Sequence, residues 1–351
     1  MADYAPIRPG EELQQAALVR YLRGRLPGID ESLEIRQFPG GHSNLTYLLR
    51  SGGREYVLRR PPLGPVPPRA HDMAREYSVL RAVHPLFPQA PRAFLLCEDP
   101  DVIGAVFFVM ERRRGLVLRE EARHPAAAAD FGARVSRAFI DCLADLHAID
   151  VGAVKLGRPA GFLERQVLGW SERWRSAQTE ESPRMDQLIA WLAAHQPVSG
   201  SPALLHNDYK LDNIMLDPGM LHPGDAGRVE AVLDWEMATA GDPMVDLGCA
   251  LCYWVEPGDP AVRRAALSSV TAGPGGWYTR AQIVERYAER SGRDLSQLGY
   301  YEVFGLFKLA VVLQQIYYRY RRGQTRDERF RHFDVRVRGL IEAAAQAAER
   351  V

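Results

Sequence analysis

Lysine is nearly missing from this chain: Lys155, Lys210 and Lys308 are three of its 44 basic residues. None precedes position 155, so a fixed cation in that first stretch must come from arginine or histidine. Cysteine is scarce too. Cys97, Cys142, Cys249 and Cys252 are too few to staple a chain of 351 residues. Cys249-x-x-Cys252 has metal-site spacing, but no second pair or histidine stands near it. In an apolar helical stretch it reads as two buried thiols, and a reducing cytoplasmic location is the expectation. Net charge is zero, with 44 basic against 44 acidic residues, so no overall field draws the chain to nucleic acid or an anionic membrane. No apolar run approaches the ~18–20 residues that span a bilayer. The opening residues are acidic and polar by position 12 and lack the apolar core of a signal peptide. What remains is the composition of a globular enzyme, 46% hydrophobic and 25% charged, long enough for two domains.

Two segments carry chemistry. The first is His206-Asn-Asp208-Tyr-Lys210-Leu-Asp-Asn213. The second, Val-Leu-Asp234-Trp-Glu, ends an apolar run in a carboxylate. Phosphoryl transfer needs a carboxylate to orient the attacking hydroxyl, a cation near the transferred group, and hard oxygen ligands for magnesium. Asp208, Lys210, Asn213 and Asp234 would supply these in that order, and the first segment has the spacing of a kinase catalytic loop. Asn and Asp also make ordinary turns. Four correctly spaced groups followed by a strand ending in Asp are more than turn chemistry requires. Apolar residues 203–205, 214–216 and 229–233 bracket these polar groups and predict short buried strands that hold them.

Along the chain, residues 10–26 predict a helix, and 33–38, 45–49 and 55–59 predict three strands. Residues 70–83 predict a second helix, and 94–97 and 106–110 two further strands, giving a mostly antiparallel sheet of five. From there the texture turns helical: 129–149, 160–177, 184–195, 260–270, 279–291, 300–322 and 333–350. The expected division is a β-rich N-terminal domain over 1–112 and a helical C-terminal domain over 113–351.

Gly40-Gly41-His-Ser43-Asn lies between the first two strands, where glycines let backbone N–H groups approach phosphate oxygens and Ser43 adds a hydroxyl. Arg59 closes the third strand, where a kinase places the cation that holds the nucleotide phosphates. Glu76 on the following helix is its expected carboxylate partner. The backbone of Met110–Arg112 is the expected adenine-binding edge. Arg112 to Arg114 otherwise read as a solvated run.

The layout resembles the aminoglycoside phosphotransferase family of kinase-like enzymes over residues 30–330. It is most similar to the branch containing kinase domains fused to acyl-CoA dehydrogenases. The residues that carry the resemblance are Gly40-Gly41-His-Ser-Asn, Tyr56-Val-Leu-Arg59-Arg-Pro-Pro, His206–Asn213, Leu-Asp234-Trp-Glu, Asp242 and Asp246, and the aromatic helix near Gln314–Tyr320. The resemblance implies an α+β, bilobal protein-kinase-like fold using ATP and Mg2+. In it Asp208 would be the catalytic base and Asn213 and Asp234 the metal ligands, with His206, Asp242 and Asp246 bracing the loop. Asn207 stands where many relatives have glycine. The expected acceptor is a small-molecule hydroxyl. Aromatics (Tyr253, Trp254, Trp277, Tyr317) beside arginines 319–331 favour an anionic or apolar acceptor, such as a hydroxyacyl-CoA or related hydroxy acid, over a polycationic antibiotic. A functional link to enzymes of acyl-CoA metabolism follows from the same resemblance. A non-catalytic nucleotide-binding module and an aminoglycoside kinase are the alternatives.

Overall fold

Five strands build the N-terminal sheet: β1 (Glu34–Gln37), β2 (Leu45–Ser51), β3 (Arg54–Arg60), β4 (Ala93–Cys97) and β5 (Phe107–Glu111). Their order is β1-β2-β3-β5-β4, with every pairing antiparallel. The computed structural model describes residues 4–30, 32–39, 44–63, 72–118, 129–222, 227–267, 269–273, 275–325 and 327–351. Gly52 and Gly53 make the β2–β3 turn with φ of +56° and +73°, the two left-handed residues that a tight hairpin needs. Helix α1 (Gln15–Leu22) packs Leu18 and Leu22 with Tyr47, Leu49, Leu58 and Phe107 in one apolar core. Helix α2 (Met73–Val83) begins where the Asp72 side chain accepts from the Arg75 N–H at 2.9 Å. That cap sets the start that periodicity placed at residue 70.

Contacts group the chain into two compact units, Met1–Gly115 with Glu230–Met237, and Leu116–Val229 with Ala238–Val351. The segment bearing Asp234 belongs to the first because it is tied there: Val232 N–H donates to Gln89 O at 2.9 Å, and Trp235 meets Phe87 edge-on.

The second unit is mainly helical. It holds α3 (Phe131–His147), the short α4 (Val151–Val154), α5 (Phe162–Ala177), α6 (Pro183–Ala194), α7 (Pro243–Tyr253), α8 (Ala261–Ala266), α9 (Arg280–Ser291), α10 (Leu298–Arg321) and α11 (Phe333–Ala348). Its strands include β6 (Ala203–Leu205) and β7 (Ile214–Leu216); β8 (Val229–Val232) runs across the boundary of the units. The three-residue β9 (Thr239–Gly241) pairs antiparallel with β6, and Thr-Ala-Gly carries no alternation to announce it. Helices α7 and α10 cross closely. A Cβ on Gly248 would lie 2.4 Å from Tyr301 O, and one on Gly305 2.6 Å from Cys252 Sγ. Gly248 is therefore a packing residue inside a helix. All four cysteines are free and buried. Among the described residues no helix is long and apolar enough to cross a membrane.

Candidate active site

In the first unit, β3 delivers Arg59 and α2 delivers Glu76 to a common point. Arg59 Nη1 donates to Glu76 Oε1 at 2.7 Å, and Nη2 donates to Asp234 Oδ1 at 2.9 Å. Arg59 is 8% exposed and Glu76 1%, so this pair sits in a medium where charge needs a partner. Burial pushes the Glu76 carboxyl above the usual glutamate value, and the Arg59 guanidinium pulls against it. Asp234 itself is left-handed, φ +68°, and Asn44 Nδ2 reaches Glu236 Oε2 at 3.0 Å two residues later. The structure thus brings Arg59, Glu76 and Asp234 together from positions far apart in the chain.

Met110 faces Val57 of β3 and Ala93 of β4 in register. Glu111 N–H donates to Arg92 O at 2.8 Å, so alternation turns the Met110 backbone groups toward β3. Met110 is committed to the sheet. Arg112 lies just past the last paired residue, its guanidinium 4.8 Å from the Phe38 ring centroid and donating to Arg113 O. Gly40, Gly41 and Ser43 lie outside the described residues.

In the second unit, β6 feeds the loop 206–210, a 3-10 turn Leu211–Asn213 follows, and β7 closes it. Lys210 Nζ stands 2.9 Å from Asp208 Oδ2 and 5.3 Å from the Tyr253 ring centroid. Burial works against the Lys210 charge, but Tyr253 and Asp208 beside it outweigh that and raise its pKa. Asn213 Nδ2 donates to both Asp208 O and Asp208 Oδ2 at 2.9 Å. With its nitrogen so engaged, the amide has Oδ1 left as its acceptor atom. Asp208, Lys210 and Asn213 are one hydrogen-bonded cluster.

The loop is held from behind by Asp246, fully buried in α7. Its two oxygens accept the N–H groups of His206 and Asn207, each at 2.6 Å. His147 Nε2 lies 3.4 Å from the same carboxylate, and His147 Nδ1 pairs with Tyr287 OH at 2.8 Å. Asp242 caps α7 by accepting from Met244 N–H and takes a 2.6 Å hydrogen bond from Tyr301 OH. His147, Tyr287 and Tyr301 were not singled out from sequence; nothing in their spacing marks them, because the contacts are long-range.

Burial alone would raise the Asp246 pKa. The His147 hydrogen bond and charge, with His206 and its N–H, overcome this and hold it below 3.8, its ordinary value. A depressed carboxylate stabilises the fold fully above the unfolded value, and the contribution fades as pH falls through the folded one. Asp246→Asn should cost about 1.5–3 kcal/mol at pH 7, the worth of hydrogen bonds to a charged group. Urea midpoints of the two proteins should draw together as pH is lowered below 3.8. A gap independent of pH would contradict this.

Asn207 has φ +64°, the left-handed conformation that Asn tolerates and β-branched residues resist. Asn207→Gly should keep the melting temperature, whereas Asn207→Val should cost on the order of 1–3 kcal/mol. Equal melting temperatures for the two variants would refute the backbone argument.

Residues 34–283 match the phosphotransferase enzyme family. Acyl-CoA dehydrogenase family member 11 of Gallus gallus is 32% identical over 355 residues, covering 98% of this chain and 45% of that protein. This chain therefore spans less than half the length of that relative. A structure from Ralstonia eutropha, provisionally described as an aminoglycoside phosphotransferase, superposes with a TM-score of 0.79 at 28% identity, covering 97% of this chain and 99% of the other. The aminoglycoside phosphotransferase APH(4)-Ia, solved with AMP-PNP and hygromycin B, gives 0.60 at 17% identity over 94% of this chain and 98% of its own. The last of these shows a shared fold alone.

Proposed function

Because the chain belongs to the phosphotransferase enzyme family, we propose that it transfers the γ-phosphoryl group of ATP to a hydroxyl of a small anionic metabolite. The observation that carries this is the cluster Asp208–Lys210–Asn213, locked by its own hydrogen bonds and by Asp246. Asp208 takes the hydroxyl proton as that oxygen bonds to the γ-phosphorus and the bond to the departing ADP oxygen breaks. Lys210 keeps a positive charge beside Asp208 for the equatorial oxygens. Arg59, fixed by Glu76, supplies the positive charge for the nucleotide phosphates in place of the lysine this region lacks. Each in its own unit, the Asn213 amide oxygen and the Asp234 carboxylate are donors of the kind magnesium takes. When bound, that ion would neutralise phosphate charge.

For the acceptor, a hydroxyacyl thioester or related hydroxy acid is our reading. Exposed Arg319, Arg321 and Arg322 on the last turns of α10 favour an anion, although Arg329 and Arg331 pair with Asp327 and Glu328. Trp254 and Tyr317, by contrast, are buried core. The acyl-CoA dehydrogenase name of the chicken relative points the same way. ADP release should be measured with ATP and magnesium over a panel of hydroxyacyl-CoAs, hydroxy acids and aminoglycosides. Turnover of thioesters or hydroxy acids is expected; turnover of aminoglycosides alone would reject the acceptor class.

A further inference from the structure

Lys308 is one of only three lysines in a chain that elsewhere uses arginine. It lies on α10, 8% exposed. Its ammonium donates to Asn207 O at 2.6 Å, stands 3.9 Å from Cys249 Sγ, and lies 5.5 Å from the Trp170 ring centroid. Among the described residues no carboxylate pairs with it. A buried cation that spends its best hydrogen bond on one carbonyl is costly unless that bond is needed.

The place of that carbonyl is informative. Asn207 is the left-handed residue directly before Asp208, and Asp246 already holds its N–H. Lys308 holds the other side of the same residue. Residues 301, 305 and 308 share one face of α10. Tyr301 bonds Asp242, Gly305 packs on Gly248, and Lys308 reaches the loop. We propose that Lys308 is a positioning residue, which with Asp246 clamps Asn207 from both sides and so fixes the direction in which Asp208 leaves the backbone. Arginine could not serve equally, since its wider planar head would displace the carbonyl or Trp170.

The claim rests on the phosphotransferase reading only for its kinetic arm. Hydrogen exchange of the full chain reads the loop without any activity. In Lys308→Met, amides of residues 203–213 should exchange at least about 10-fold faster, while α11 and the first turns of α10 keep their protection. Where turnover is found, kcat should fall about 10- to 100-fold with KM for ATP unchanged. Added to Asp208→Ala, the substitution should cost nothing further. Unchanged exchange in 203–213, or a rise spread equally over the second unit, would overturn the proposal. Should Lys308→Met fail to fold, Lys308→Arg keeps charge and a donor. It should raise exchange at 203–213 with the melting temperature held, and wild-type exchange there would equally overturn the clamp. Absence of turnover in the unaltered protein would count against the proposed function and leave the exchange result to judge Lys308.

Discussion

Asp208→Ala should lower ATP-dependent phosphorylation of the acceptor by 10²–10⁴-fold, on the order expected for removing a general base. The fold should survive. Asp208 is partly exposed, Lys210 can turn to water, and Asn213 keeps its bond to the Asp208 carbonyl. KM for ATP should change little, because this carboxylate is proposed to act on the acceptor. The measurement is ADP release with each acceptor that the unaltered protein turns over, alongside a melting curve. Turnover within threefold of wild type would remove Asp208 from the chemistry and return the loop to a structural role.

Arg59→Met should do damage of a different kind. It removes the charge opposite Glu76, which is 1% exposed, and the donor to Asp234. Breaking one side of a buried ion pair costs about 3–5 kcal/mol. Glu76 can relieve part of that by taking a proton. Its pKa, already raised by burial, rises further once the guanidinium is gone. A carboxyl raised in the folded state contributes stability that is lost as pH climbs from its unfolded value of 4.5 through its folded value, about 8 in the unaltered protein. With Glu76 raised further in Arg59→Met, the deficit should therefore be larger at pH 9 than at pH 6, read as the shift in urea midpoint. ATP binding should weaken as well, whereas Arg59→Lys should keep part of both. An exposed, solvated strand end would show neither the instability nor its pH dependence.

Most of the fold was legible because most elements, β9 excepted, carried their own signal. The alternation in residues 33–38, the Gly52-Gly53 turn and the long apolar faces of α3 and α10 are local, and local signals survive in a single sequence. Element ends were misjudged where a cap decided them, as at Asp72 and α2. The HxDxKxxN spacing placed Asp208, Lys210 and Asn213 correctly in one loop because a short loop forces neighbours together. The partnership of Arg59 with Glu76 followed from kinase logic. That Arg59 also bonds Asp234, 175 residues later, had no sequence signal. That Met110 of the expected adenine-binding edge pairs with both Val57 and Ala93 depends on β5 joining β3 and β4, pairings that periodicity does not specify. Lys308 and His147 sit in helices as single polar residues, indistinguishable by spacing from solvated ones. For Lys308 the scarcity of lysine was the only available hint.

The central proposal is that the loop of Asp208, Lys210 and Asn213 serves phosphoryl transfer, with Asn213 a ligand of the magnesium that accompanies ATP. Mn2+ binding in the presence of AMP-PNP, followed by electron paramagnetic resonance, tests it without knowledge of the acceptor. The account predicts saturable binding to the unaltered protein and weakening by tenfold or more in Asn213→Ala, on the scale that loss of a metal contact costs. Binding in that variant as tight as in the unaltered protein would contradict it.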